Sequence, residues 1–339
     1  MKKWLLILGC LVSTSVVAQT KEIKLATIAP AGSSWDNITT RMNEELKARS
    51  GGKLAFRVYP GGTQGDEKDV IRKMRIGQIH AGGFTGNGLG MVSPAFRVLE
   101  IPFLYKSAED IDYVEEKMRP EMEALFLKGN PPVVLLGWAE AGSIYIYSNR
   151  PVRSLKDLQG MKVWQWEGDP LAAETFKNLG VTPIPLAVTD VMTALSTNMI
   201  EAAYAPPLGA LALQWVSKVK YMTDLSVTSS LGGLVMLKSE YDKLSPDQQK
   251  ILKEVTTKYC REIVTQTRRD NLQSIEEIKR LGIQVITPET KDTDEFIAAA
   301  KKTWVNLVGK LYSQDQLNRV QALVAESQGK KPSASAQLH

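Results

Sequence analysis

Hydrophobic and polar positions alternate along this chain with two periods, one typical of strands and one typical of helices. Short apolar runs at 23–28 and 79–85 are separated by stretches in which apolar residues recur every three or four positions. The alternation continues through 142–207, where runs at 143–148 and 161–166 precede another helical pattern. Strands that alternate with helices are typical of βαβ units. The pattern predicts an α/β fold.

The stretch 142–207 is also where the sequence predicts a ligand site. Ligands of open α/β sheets bind beyond the carboxyl ends of the strands. Trp164, Gln165 and Trp166 end one predicted strand of this stretch, and Tyr204 lies at the end of another. We therefore expect a binding cleft at this edge of the sheet.

A long helix is predicted in the second half of the chain. Ser245 is a helix cap, followed by Pro246 and by Gln248 at the third helical position. Apolar residues then recur at helical spacing as far as Leu281, so the helix 246–281 would be about 36 residues and ~54 Å long at ~1.5 Å per residue. We expect it to brace two domains. The alternative is a pair of helices separated near Asp270.

The order of the apolar runs predicts that one domain is inserted into another. The apolar run that begins at Gly233 would return the chain to the first domain. The first lobe would then comprise 19–145 and 233–327, including the long helix, and the second lobe 146–232. The tail 328–339 is polar except for Leu338, and we expect it to be disordered.

The first eighteen residues have the pattern of a secretory signal peptide. Lys2 and Lys3 precede an apolar run, and small residues lead to a predicted cleavage after Ala18. A membrane anchor and a lipid attached to Cys10 are the alternatives. We expect the mature protein in the periplasm. Removing both lysines lowers the formal net charge from +5 to +3, which is too small to indicate a nucleic-acid partner.

Candidate catalytic chemistry is sparse. The two cysteines, Cys10 and Cys260, leave no pair for a disulfide once the leader is removed, and the two histidines are His80 and His339. The sequence contains no HExxH, CxxC or phosphate-binding loop motif. We therefore expect no enzyme, no metal and no cofactor. A catalytic pair among Glu140, Glu167 and Asp169 is the remaining alternative.

Several segments resemble a known family. The run NRPVRSLKDLQGMKV at 149–163 is similar to the "NRP…DLKG-x-K" signature of the periplasmic solute-binding proteins of tripartite ATP-independent (TRAP) transporters, of the C4-dicarboxylate-binding DctP type. LGVTPIP at 179–185 and the segment 188–201 match further motifs in the same order. The resemblance implies a two-lobed clamshell of mixed sheets flanked by helices, with a long helix that braces both lobes. It also implies delivery of a small ligand to a membrane permease.

The chain departs from that family where the ligand is held. The resemblance implies an Arg where this sequence has Trp164, and often a second Arg at or beside Ile144. Such an Arg binds a substrate carboxylate with paired hydrogen bonds. We therefore expect a ligand other than a standard C4-dicarboxylate: a neutral, apolar or aromatic molecule, a carboxylate held by other donors, or a cation.

The candidate ligand-binding side chains combine the predicted cleft strands with loops that follow other strands. They are Trp164, Tyr204, Tyr145, Gln165, Glu167, Trp35, Asn87 and Phe103.

The predicted function is that of an exported receptor which captures a small organic solute between two lobes and docks onto the membrane subunits of a TRAP permease. The first alternative is a sensor of the same shape that serves a signalling receptor. An exported hydrolase is a more distant one.

Overall fold

The structure is a computed structural model that describes residues 20–329. The predicted signal peptide, its cleavage site and Cys10 lie outside the described residues, as does 330–339 of the predicted tail. Gln328 and Gly329, which the sequence assigned to the tail, instead end the last helix. No helix within 20–329 combines the length and the hydrophobicity that a bilayer crossing needs.

Strands and helices alternate through most of the described chain. The strands are β1 Lys21–Thr27, β2 Leu54–Tyr59, β3 Ala81–Thr85, β4 Val133–Ser148, β5 Trp164–Trp166, β6 Ile184–Leu186, β7 Ala202–Ala205, β8 Tyr221–Leu237 and β9 Gln284–Ile286. The α-helices are α1 Ser34–Arg49, α2 Glu67–Arg75, α3 Gly86–Val92, α4 Ala108–Leu127, α5 Leu155–Leu158, α6 Pro170–Asn178, α7 Val191–Ser196, α8 Pro207–Ala212, α9 Lys238–Tyr241, α10 Pro246–Arg280, α11 Thr290–Asn306 and α12 Gln314–Gly329. Short 3-10 helices span Pro94–Glu100, Val188–Asp190 and Trp215–Lys218.

One mixed sheet runs through the molecule in the order β2-β1-β3-β8-β4-β7, with β9 beside β8. β1 is parallel to β2 and β3, and the pairs β3–β8, β8–β4 and β4–β7 are antiparallel. β5 and β6 form a separate parallel pair. The prediction of an α/β fold with mixed sheets flanked by helices is confirmed.

The long strands β4 and β8 run through both halves of the sheet. β3 pairs with the end of β8 at 232–236, whereas β7 pairs with the end of β4 at 145–148. We name the half with β1, β2 and β3 the first lobe and the half with β5, β6 and β7 the second lobe. The lobe boundaries predicted at 145 and 233 fall inside these two continuous strands.

The run 143–148, which the sequence predicted as a strand of its own, is the end of the longer strand β4 that begins at Val133. The preceding residues 139–142 are polar or small, and this favours a loop when they are considered alone. Pairing with β8 keeps them extended, although the register shifts between Glu140 and Gly142 and again between Ile144 and Ile146. Such bulges bend a strand, so β4 changes direction where it passes from one lobe to the other.

Each lobe has hydrophobic clusters on both faces of its sheet. In the first lobe, α1 and α10 cover one face and α2, α3, α4 and α12 cover the other. The second lobe packs Tyr147, Trp164 and Trp215 in one cluster, and Ile146, Phe176 and Phe296 in another. These four clusters form the walls between which a cavity lies.

α10 is one continuous helix of 35 residues, as predicted, and not two helices. It begins with the predicted capping box, in which Ser245 and Gln248 satisfy each other's backbone N–H groups. Its Asn271 side chain donates to the carbonyl of Ala141 in β4 (2.9 Å) and accepts from the N–H of Leu208 in α8 (2.9 Å). α10 therefore packs on α1 of the first lobe and is hydrogen-bonded to the second.

Candidate functional site

A cavity of about 290 Å³ lies between the lobes. It borders all four hydrophobic clusters, which explains why most of its wall is apolar. Representative lining residues are Leu25 and Phe84 from the first lobe, Ile144 from β4, and Trp166 and Phe176 from the second lobe. The cavity adjoins the end of β5, and this is the edge at which the sequence predicted a cleft.

The structure places four of the eight predicted site residues in the wall of this cavity. They are Trp164, Tyr204, Trp35 and Asn87. Trp164 and Tyr204 are stacked, with ring centroids 4.7 Å apart and planes inclined by 26°. Trp35 is held by a hydrogen bond from its indole N–H to Thr267 Oγ1 of α10 (2.8 Å). Aromatic rings therefore contribute to the wall in both lobes.

Tyr145 and Gln165 lie outside the lining. Ile144 and Ile146 of β4 line the cavity, whereas Tyr145 between them packs against the cluster that contains Tyr147 and Trp164. Gln165 likewise lies between two lining tryptophans, and its amide donates to the carbonyl of Asp169 at 3.5 Å. Neither side chain is positioned to contact a ligand in the cavity.

The other two predicted residues, Glu167 and Phe103, also lie outside the lining. Glu167 is exposed and forms an ion pair with Lys68 at 3.1 Å. Phe103 has a φ of 55° and packs against the cluster around Phe176, while its neighbour Pro102 lines the cavity. Their proposed contact with a ligand receives no support from the geometry.

Trp164 lies deep in the wall, with only 1% of its surface exposed. Its indole N–H donates to the carbonyl of Leu186 at 3.0 Å, and Trp215 meets the ring edge-on at a centroid distance of 5.3 Å. The ring has no spare polar group for a ligand. It can offer the cavity only an apolar aromatic surface.

Arg97 is a cavity residue that the sequence reasoning missed. Nη2 donates to both carboxylate oxygens of Asp169, at 3.1 and 2.9 Å, and Nη1 donates to Glu100. All three side chains are buried. Burial lowers the pKa of Arg97, but Asp169 and Glu100 outweigh that effect and raise it. Burial raises the pKa of Glu100 to about 7, against the opposing effect of Arg97.

A signal for this ion pair does exist in the sequence. Arg97 and Glu100 are three residues apart within the apolar run 96–104, so they lie on one face of a helical turn. Charged residues in such a run are rarely buried unless they are paired. Nothing local indicated Asp169, which is 72 residues away.

Asn87 provides a hydrogen-bond donor without a protein partner. The α3 segment that carries it is anchored by Glu67, which accepts from the N–H of Thr85 (2.6 Å), from Thr85 Oγ1 (2.9 Å) and from the N–H of Gly88 (2.7 Å). Burial raises the pKa of Glu67 to about 8. Nδ2 of Asn87 is buried and has no partner, so it is available to an acceptor on a ligand.

The lobes contact each other directly at the edge of the cavity. Asp66 Oδ2, from the first lobe, accepts from Trp166 Nε1 (2.9 Å) and from the N–H of Val188 (3.0 Å), both in the second lobe. The ion pair Arg97–Asp169 also crosses between the lobes. Burial raises the pKa of Asp66, although these hydrogen bonds oppose the shift.

The carboxylates considered for catalysis are each engaged. Glu140 accepts from Arg268 at 3.0 and 2.7 Å, and Asp169 accepts from Arg97 and caps α6. Burial raises the pKa of Glu140 above its usual value, although the hydrogen bonds and the charge of Arg268 oppose this shift. Within residues 20–329, no three His, Cys, Asp or Glu side chains are grouped as metal ligands would be. The arrangement offers binding contacts and a largely apolar cavity.

Comparison with known proteins gives a consistent picture. Residues 25–310 match the DctP family, "Bacterial extracellular solute-binding protein, family 7". The 2,3-diketo-L-gulonate-binding periplasmic protein YiaO of Escherichia coli K12 is 27% identical over 251 residues, which cover 73% of this chain and 75% of YiaO.

Solved structures of TRAP periplasmic solute-binding proteins share the fold. One from Pseudomonas putida F1, with bound D-glucuronate, is 27% identical with a TM-score of 0.80, covering 89% of this chain and 97% of that one. Another from Roseobacter denitrificans, with bound L-galactonate, is 23% identical with a TM-score of 0.81, covering 89% and 98%. This chain belongs to the DctP family of bacterial extracellular solute-binding proteins, and it has the two-lobed fold of the TRAP periplasmic members.

Proposed function

We propose that this protein is an exported, periplasmic receptor that captures a small organic ligand between its lobes and delivers it to the membrane subunits of a TRAP permease. Family membership and the largely apolar cavity between the lobes support this role. Family 7 is a family of binding proteins, in agreement with the prediction that the chain is not an enzyme. The comparisons give no support to the sensor alternative.

The ligand that we propose is mainly apolar or aromatic, and it is not a dicarboxylate. One observation carries this proposal: among the described residues that line the cavity, Arg97 is the only Lys or Arg, and two buried carboxylates occupy it. The resemblance implies an Arg at position 164, where this chain has the buried ring of Trp164. Relatives that hold D-glucuronate or 2,3-diketo-L-gulonate bind acids, so this chain would differ from them in ligand class.

A thermal-shift screen of the mature protein tests the proposal. Indole and benzyl alcohol are expected to raise Tm with increasing concentration, because a ligand that binds only the folded state stabilises it. Succinate and D-glucuronate are expected to leave Tm unchanged. Strong stabilisation by succinate would contradict the proposed ligand class.

Two neighbouring alanines provide a matched pair of variants for the same screen. Ala172 lines the cavity, whereas Ala173 on the next position of α6 does not. Ala172→Phe is expected to fill part of the cavity and to reduce the shift caused by indole. Ala173→Phe should retain that shift. Equal responses of the two variants would place the ligand somewhere else.

A further inference from the structure

Acidic side chains outnumber basic side chains in the lining of the cavity. Arg97, Glu100 and Asp169 form a buried group, here called the Arg97 group, which carries one positive and two negative charges when all are ionised. The remaining charged residue of the lining, Glu140, is paired with Arg268. A further anion beside the Arg97 group would meet a net charge of −1 in a medium of low dielectric constant, where repulsion between charges is strong.

Asp169 occupies a donor of Arg97 that the carboxylate of a ligand would need. Both of its oxygens lie within hydrogen-bonding distance of Nη2, at 3.1 and 2.9 Å. A ligand carboxylate would compete for the same nitrogen, because carboxylates are strong acceptors of guanidinium N–H groups. Asp169 comes from the second lobe and Arg97 from the first, so the pair joins the lobes with a charge that the chain itself supplies.

The position of Asp169 is set by the helix that it caps. Oδ1 accepts from the N–H groups of Leu171 (2.9 Å) and Ala172 (3.2 Å) at the start of α6. Nε of Arg97, in contrast, is buried with no partner. If Asp169 lost its charge, Nη2 of Arg97 would become available to a ligand carboxylate.

We propose that Asp169 is a specificity-determining residue that takes the place of a ligand carboxylate on Arg97 and thereby excludes anionic ligands from the cavity. This inference deepens the proposed function and depends on it for the location of the site. The ligand would then be a molecule that has no carboxylate group.

The variant Asp169→Asn tests the inference. Asn retains an oxygen for the helix cap but removes one negative charge, so the Arg97 group becomes neutral. Isothermal titration at pH 8 with benzoate and benzyl alcohol, which share a ring and differ in charge, is the measurement. We expect benzoate to bind roughly tenfold tighter or more in the variant than in the wild type, where tenfold corresponds to about 1.4 kcal/mol. Benzyl alcohol should change little.

Two further variants separate the mechanism from a general effect of charge. Asp190→Asn removes the same charge from an exposed position of the second lobe and should leave benzoate binding at the wild-type level. Adding Arg97→Gln to Asp169→Asn should abolish the gain for benzoate. If Asp169→Asn melts at a much lower temperature than the wild type, Asp169→Ser, which also retains a cap, replaces it.

A pH profile gives a readout that a purely structural role would not produce. Because burial raises the pKa of Glu100 to about 7, its protonation below that pH makes the wild-type group neutral. Benzoate should therefore bind the wild type more tightly at pH 5.5 than at pH 8. This gain should be smaller in Asp169→Asn, because the charge of Asp169 helps to raise the pKa of Glu100 and its loss leaves less of Glu100 protonated at pH 5.5. Glu67, whose pKa burial raises to about 8, also acts on Arg97 and loses its charge over this range in both proteins.

The outcomes distinguish the two proposals. One outcome is that the wild type binds neither probe while Asp169→Asn binds benzoate. This outcome would overturn the proposal of an apolar ligand and would support the role of Asp169. Wild-type protein that binds benzoate as tightly as the variant does would overturn the role of Asp169, as would a folded variant without any gain.

Discussion

At the scale of single residues, Trp164 belongs both to the wall of the cavity and to the core of the second lobe. Family resemblance implies an Arg at this position, yet the indole is 1% exposed and its ring is enclosed by Tyr204, Trp215 and the carbonyl of Leu186. A guanidinium here would meet aromatic faces and a single acceptor. We therefore do not expect an Arg placed here alone to form a carboxylate clamp.

We predict that Trp164→Arg lowers the free energy of unfolding by several kcal/mol and does not create succinate binding. The reason is that a buried charge without a carboxylate partner is costly. Urea unfolding measures the first effect and calorimetry the second. Trp304→Arg is the control, because the half-buried ring of Trp304 also donates to a carbonyl, that of Pro102 at 2.8 Å, but Arg can reach solvent there. Succinate binding by a stable Trp164→Arg variant would contradict this interpretation.

At the scale of elements, α10 links the lobes through the amide of Asn271 as well as through Ile275 and Ile278, which pack in a cluster of the second lobe. Asn271 contacts β4 and α8 at the same time, through the carbonyl of Ala141 and the N–H of Leu208. Gly142 makes this approach possible. Its φ is +112°, and a Cβ atom there would lie 2.3 Å from Nδ2 of Asn271. The helix is therefore fixed to the bend in β4 at a point where the strand has a glycine.

Asn271→Leu is predicted to destabilise the protein by about 2 kcal/mol or more, because the Ala141 carbonyl and the Leu208 N–H both lose their partner. Chemical denaturation gives the value. Leu272→Ala, on the next residue of the same helix, is the matched control, since Leu272 is 70% exposed and its truncation should cost less than about 0.5 kcal/mol. Similar losses from both variants would mean that the two hydrogen bonds do not brace the lobes.

At the scale of the whole molecule, several polar contacts join the two lobes across the cleft. Asp66 bonds to Trp166 and Val188, Arg97 to Asp169, and Lys68 to Glu167. A receptor that closes on its ligand needs contacts that favour the closed state by only a few kcal/mol. The bonds of Asp66 are suited to this role, because they join both β5 and the loop after β6 to the first lobe.

Replacing Asp66 by Ser is predicted to open the molecule. Ser retains the cap of α2 but is too short to reach Trp166 and Val188, so the unliganded protein should have a larger radius of gyration by small-angle X-ray scattering. Asp69→Ser on the same helix is the control, since Asp69 pairs only with Arg72 at 3.0 Å among the contacts described. Scattering curves that coincide for Asp66→Ser and the wild type would rule out a contribution of these bonds to closure.

Several features of this protein were predictable because their signals are local in the chain. The capping residues Ser245 and Gln248 and the regular apolar spacing after them predicted the long helix. Alternating runs predicted the α/β class, and ordered motifs between 149 and 201 predicted the family. Trp164 and Tyr204 line the cavity from β5 and β7, and Trp35 and Asn87 line it from the first turns of α1 and α3, the helices that follow β1 and β3.

Other features required the tertiary structure, because they depend on residues that are distant in sequence. The sequence by itself determined the spacing of apolar residues in each segment, the helix caps and the residue at each motif position. Only packing decided that β4 continues through 139–142, that Phe103 and Tyr145 lie outside the cavity lining, and that Asp169 reaches Arg97 across 72 residues. Burial and charge pairing are properties of the assembled fold, since they are set by whichever distant side chains are brought together. The chemistry of the cavity is therefore determined at the level of the tertiary structure.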